Sequence, residues 1–107
     1  MLNSATTRSV PLEAVVIGAS AGAIEALRQL MPPLSQNLKL PIIVVVHLPP
    51  RRKSLLPELF QPLCAAHVAE PMDKQPIVGG GIWFAPPDYH LLIEGRHFAL
   101  SVGAPVL

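Results

Sequence analysis

Apolar residues along the chain fall into two kinds of run. Ala14-Val15-Val16-Ile17 is continuous and β-branched without polar alternation, the pattern of a strand buried on both faces. The small residues 18–22 follow directly. Ile24, Leu27, Leu30 and Met31 then recur at helical spacing, with Glu25, Arg28 and Gln29 on the other side. Pro32-Pro33 should end that helix. A polar stretch at residues 35–39 returns the chain to a second apolar run, Ile42-Ile43-Val44-Val45-Val46. Two buried strands joined by a helix form a βαβ unit, with parallel strands and a right-handed crossover. His47-Leu48-Pro49-Pro50 closes the second strand, because proline cannot donate to a central ladder.

Beyond residue 50 the pattern shortens. Ser54 is placed to cap a short helix running to about Leu63, with Pro57 tolerated in its first turn. Residues 67–70, 82–85, 90–94 and 97–102 read as short strands separated by proline and glycine. Glu94-Gly95-Arg96 should close a hairpin between the last two. The expected fold class is α/β: a parallel βαβ start of a doubly wound, Rossmann-like sheet, followed by an antiparallel hairpin excursion. Residues 1–12 read as a leader, and residues 13–107 as one small domain or part of a larger one.

Composition adds constraints. Of 107 residues, 50% are apolar and 14% charged. That excess implies surfaces that self-association or a complementing chain would cover. A net charge of +1 gives no electrostatic footprint for nucleic acid or an anionic membrane. Cys64 is the single cysteine, which excludes an intramolecular disulfide and suits a reducing compartment. The first ten residues lack the charged start and apolar core of an export signal, and the run at residues 42–46 is far too short to insert into a membrane. A soluble cytoplasmic protein is the expectation.

Candidate chemistry sits at the strand ends, where open parallel sheets form their sites. Ser20 follows the first strand and His47 the second. Neighbouring parallel strands would bring them within reach, and a serine hydroxyl is a weak nucleophile until an imidazole takes its proton. Gly18-Ala19-Ser20-Ala21-Gly22 fits G-x-S-x-G, a strand-to-helix turn that exposes a nucleophile beside helix N–H groups. Gly18 and Gly22 would permit that turn and a close approach of strand to helix. A purely structural glycine-rich turn also fits, as does a hydrogen-bonded structural role for His47. Dinucleotide binding fits poorly: Ser20 replaces the middle glycine of G-x-G-x-x-G, and the second strand ends in His47, not in an acidic residue.

The remaining polar residues have plainer readings. Arg51, Arg52 and Lys53 form either a solvated basic turn or an attraction for acidic helices. Cys64 with His67, and His90 with His97, lack metal-ligand spacing, so no metal is expected. Trp83 and Phe84 read as strand core.

Three separated segments resemble one family. Val16-Ile17-Gly18-Ala19-Ser20-Ala21-Gly22 with Glu25-Ala26-Leu27 resembles the nucleophile segment of CheB-type protein-glutamate methylesterases. Val46-His47-Leu48-Pro49-Pro50 resembles their histidine segment, and Trp83-Phe84-Ala85-Pro86-Pro87-Asp88-Tyr89-His90 a third, with residues 91–100 continuing the match. The resemblance implies hydrolysis of γ-glutamyl methyl esters on methylated chemoreceptor helices, with glutamine deamidation in some members. It implies Ser20 as nucleophile, His47 as general base and no cofactor. The family's triad aspartate belongs to a later glycine-rich segment that these residues do not contain, so the resemblance implies that residues 13–107 are the amino-terminal portion of such a methylesterase domain. Asp73 and Asp88 are the only aspartates available as substitutes. Ala23 departs from a glycine common in relatives, and Lys74 and Gly79-Gly80-Gly81 depart from the usual turn wording. Two functions follow as expectations: a serine esterase with little activity from this chain alone, or a non-catalytic receptor-binding or interaction fragment of the same fold.

Overall fold

The computed structural model describes residues 14–47 and 55–102. The expected leader, the Leu48-Pro49-Pro50 segment, the basic residues Arg51, Arg52 and Lys53, and the Ser54 cap lie outside the described residues. Eight elements follow in order: β1 (Val15–Ser20), α1 (Ile24–Ser35), β2 (Ile42–His47), α2 (Leu56–Phe60), β3 (His67–Ala69), β4 (Gly81–Phe84), β5 (Tyr89–Glu94) and β6 (His97–Val102). Short 3-10 turns at Ala21–Ala23 and Gln61–Leu63 precede α1 and follow α2.

β1, β2, β4 and β3 form one sheet in that order, and every neighbouring pair is parallel. β5 and β6 form a separate antiparallel pair, closed at Gly95, whose φ of 62° lies in the left-handed region. The βαβ start and the hairpin excursion are therefore as the pattern implied. The two strands between them are not part of the excursion: β3 and β4 extend the parallel sheet. A strand as short as His67–Ala69 carries no periodicity that could reveal its partner.

Alternation assigns the sheet faces. Ile42, Val44, Ile82, Phe84 and Val68 point toward Leu27 and Met31 of α1 and Leu56 and Phe60 of α2, with Ile17 and Ala19 packed alongside. Both helices thus cover one face. The opposite face holds a smaller cluster of Ile43, Trp83 and Phe98, the last supplied by β6. Strands buried on both sides need apolar residues at every position, and β4 is buried throughout.

α1 does not end at Pro32-Pro33, as the prolines suggested, but runs through both to Ser35. Each proline costs the helix one i→i−4 donation and crowds the carbonyl four residues back, and the burial of Leu27, Met31 and Ser35 along the same helix outweighs that cost. Pro32 accepts from the buried Ser35 hydroxyl at 2.7 Å, and Pro33 from the Gln36 N–H at 3.4 Å. Ser35 Oγ also accepts from Ala65 N–H at 3.0 Å, which ties the end of α1 to the segment before β3. Gln61 makes a second tie, accepting from Val68 N–H at 2.8 Å and donating to the Ala66 carbonyl at 2.9 Å. α2 itself ends at Phe60, and its 3-10 continuation reaches Leu63, the expected end of the helical segment, with Leu55 at the N-cap position and Pro57 in the first turn.

Candidate active site at the strand ends

β1 is longer than its apolar run. The strand continues through Gly18 and Ala19, and Ser20 is its last residue, not a residue beyond it. β2 likewise includes His47. The parallel register runs from Val15 opposite Ile42 to Ser20 opposite His47. Paired positions on adjacent strands lie about 5 Å apart. Because side chains alternate, Ser20 shares a face with Val16 and Gly18, and His47 shares one with Ile43 and Val45. It is the same face, opposite the helices. Sequence reasoning brought these two residues together, and the register does so at the level of the backbone. Among the described residues no hydrogen bond joins the two side chains, and both residues are exposed.

The local geometry of the serine differs from the expectation. A nucleophile on a sharp elbow is held in a strained conformation. Ser20 has φ −87° and ψ 165°, ordinary extended backbone. Gly18 and Gly22 are also not demanded by close packing: a Cβ on Gly18 would meet nothing within 4 Å, and one on Gly22 would sit 3.8 Å from Ser20 Oγ. Neither glycine has positive φ. The turn after Ser20 is instead a 3-10 turn that leads straight into α1, without a side-chain cap. The first N–H groups of such a turn have no acceptor within the helix, and their partial positive charge favours a nearby anion.

His47 borders an open cavity of about 250 Å³, bounded by the end of β2 on one side and residues 85–89 on the other. Asp88 belongs to that rim, whereas Asp73 lies elsewhere and accepts from Leu100 N–H at 2.9 Å, holding β6. The two aspartates therefore separate: Asp73 braces the hairpin, and Asp88 shares the cavity with His47. Sequence reasoning did not single out Tyr89 or the two prolines as site residues. Their place directly after an apolar strand was the available signal.

Cys64 is partly buried beside Ser35. Burial pushes its thiol above the ordinary value, and its hydrogen bond with Ser35 acts in the opposite direction. A thiol so placed is no activated nucleophile. His67 is exposed and packs edge-on against Trp83, with ring centroids 5.5 Å apart. No helix among the described residues is long and apolar enough to cross a membrane.

A parallel α/β sheet, helices on one face and a serine and a histidine in register at the carboxyl ends of adjacent strands, defines the structural class. Residues 15–106 match the family model for CheB methylesterase, and the chain belongs to that family. It is similar to the CheB methylesterase catalytic domain of Thermotoga maritima, with a TM-score of 0.80 and 30% identity over 91% of this chain and 53% of that one. It is 38% identical over 95 residues to a Leptospira interrogans protein that provisionally carries the name protein-glutamate methylesterase/protein-glutamine glutaminase, covering 88% of this chain and 49% of the relative. A protein of that name from Trichodesmium erythraeum is 35% identical over 87% of this chain and 27% of its own length. The chain thus spans about half, or less, of the proteins it resembles.

Proposed function

We propose that this chain supplies the nucleophile and base of a protein-glutamate methylesterase acting on methylated chemoreceptor helices in the cytoplasm. The observation that carries the reading is the register of Ser20 with His47 on one face of the sheet. Ser20 Oγ attacks the γ-carbonyl carbon of the ester while His47 takes the hydroxyl proton. The oxyanion is stabilised by N–H groups of the turn at Ala21–Ala23. The tetrahedral intermediate collapses, the C–O bond to the methoxy group breaks, and His47 returns its proton to the departing methanol. Water then attacks the acyl-serine, giving one proton to His47, which passes it to the departing Ser20 Oγ as glutamate is released. Attack on glutamine with loss of ammonia follows the same course, in keeping with the second activity in the relatives' names.

Turnover by this chain alone is expected to be small. A triad without its orienting carboxylate commonly loses about 10⁴ in rate. Asp88 is on the His47 cavity but lies outside the family's aspartate segment. The test is methanol release from methylated receptor by this chain and by its Ser20→Ala variant, alone and with the second half of a relative's catalytic domain added. Release that depends on Ser20 and rises on complementation supports the reading. Equal release by the two proteins under both conditions sinks it.

The uncovered apolar face favours a second reading, a receptor-binding or self-associating fragment without catalysis. Val16 is 61% exposed on the edge strand β1 and Val45 is 42% exposed beside it. Capture of receptor without Ser20-dependent turnover on complementation would select this reading.

A further inference from the structure

The cavity beside His47 arises from unequal strand lengths. β4 ends at Phe84, opposite Val44, and Ala85 N–H makes the last cross-strand bond, to the Val44 carbonyl at 2.9 Å. Among the described residues β2 continues to His47 with no strand paired on that side, while the chain after β4 runs on through Pro86, Pro87 and Asp88. The space left between them is the cavity of about 250 Å³.

We propose that this cavity, on the side of His47 away from Ser20, is the subsite for the methyl-ester end of the substrate's side chain, with Tyr89 as its specificity-determining wall; the proposal rests on the reaction assigned above. Three observations support it. The first is size: drug-sized ligands occupy pockets of about 300–1,000 Å³, so this one suits a single side chain. The second is lining. Val45, Val46, Pro86 and Pro87 present carbon, and the polar groups lie at His47, Asp88 and Tyr89. A lining that is mostly carbon accepts a methyl ester and repays little of the desolvation of the carboxylate left after hydrolysis. The third is preorganisation. Two prolines fix their own φ, Asp88 turns the chain at φ 66°, a conformation aspartate tolerates, and Tyr89 is pinned by its pairing with Val102. Tyr89 is 49% exposed, so part of its ring remains free for a ligand.

Amide resonances of the full 107-residue chain, titrated with N-acetylglutamate γ-methyl ester N-methylamide, test the assignment. Saturable shifts are expected at residues 45–47 and at Ala85, Asp88 and Tyr89. The analogue with a free γ-carboxylate should bind about tenfold more weakly. Tyr89→Ala should weaken ester binding about fivefold, and Tyr89→Phe should restore it. Absence of saturable shifts, shifts confined to other residues, or equal affinity for ester and carboxylate would overturn the proposal. So would a folded Tyr89→Ala chain that binds like the parent. The two proposals fail separately: Ser20-dependent methanol release without binding here rejects the subsite alone. Binding here with no Ser20-dependent release on complementation rejects the reaction alone.

Discussion

Ser35→Ala is the substitution whose cost the structure defines most closely. The hydroxyl is buried at 2% exposure, donates to the Pro32 carbonyl at 2.7 Å and accepts from Ala65 N–H at 3.0 Å. One hydroxyl therefore serves a helix end and a loop thirty positions away. Alanine removes both bonds and leaves two backbone groups to find water. A net hydrogen bond is worth about 1 kcal/mol, and a buried partner left unsatisfied costs about 1–3 kcal/mol. Ala65 is exposed, so its N–H is readily rehydrated, while the Pro32 carbonyl is left at the helix end. The expected loss is about 2 kcal/mol, or roughly 10 °C in Tm for a domain near this size. Urea unfolding followed by circular dichroism should show a lower midpoint with an unchanged slope. The variant also removes the bond that restrains the Cys64 thiol, so the thiol should titrate still higher than in the parent chain. A change in stability below about 0.3 kcal/mol would refute the reasoning, because surface substitutions fall within that range.

Two further outcomes are expected. Gly79→Ala would drive its Cβ into the Lys39 carbonyl, a backbone atom that cannot rotate away. A loss of about 1–3 kcal/mol is expected in the same urea assay, and an unchanged midpoint would show that the loop yields freely. Cys64 should react slowly with iodoacetamide at neutral pH, its rate still climbing where an ordinary thiol has levelled off. Because the folded thiol holds its proton more tightly than the unfolded one, this group's contribution to stability is complete below the unfolded pKa. It is lost as pH rises through the higher folded value. Alkylation that plateaus at the pH of a free thiol would contradict this.

How much of this was legible beforehand depended on run length. Residues 14–17 and 42–46 are continuous β-branched runs around a strongly periodic helix, so the βαβ unit and the neighbourhood of Ser20 and His47 could be read directly. The strand limits could not, because Gly18 and Ala19 have weak strand preference and are held in β1 by pairing with Val45 and Val46. Pro32 and Pro33 misled because their penalty is local, whereas the last turn of α1 is held by the burial of Met31 and Ser35 and by the two hydrogen bonds of the Ser35 hydroxyl. Ser35 and Gln61 gave no signal, since a buried polar connector resembles any loop residue until its partners are seen. The placement of β4 between β2 and β3 is a long-range outcome that four apolar residues do not encode locally.

The register of β1 on β2 also predicts where this protein tolerates changes in length. Residues 36–38 join α1 to β2 at the end of the sheet away from Ser20 and His47, so insertions there lengthen a connection and leave the pairing unaltered. One residue gained or lost within residues 43–46 would turn His47 toward the helices while Ser20 stayed on the opposite face. Length variation should therefore accumulate at one end of the crossover and be purged from the strand. An alignment of relatives tests that contrast, with no enzyme assay.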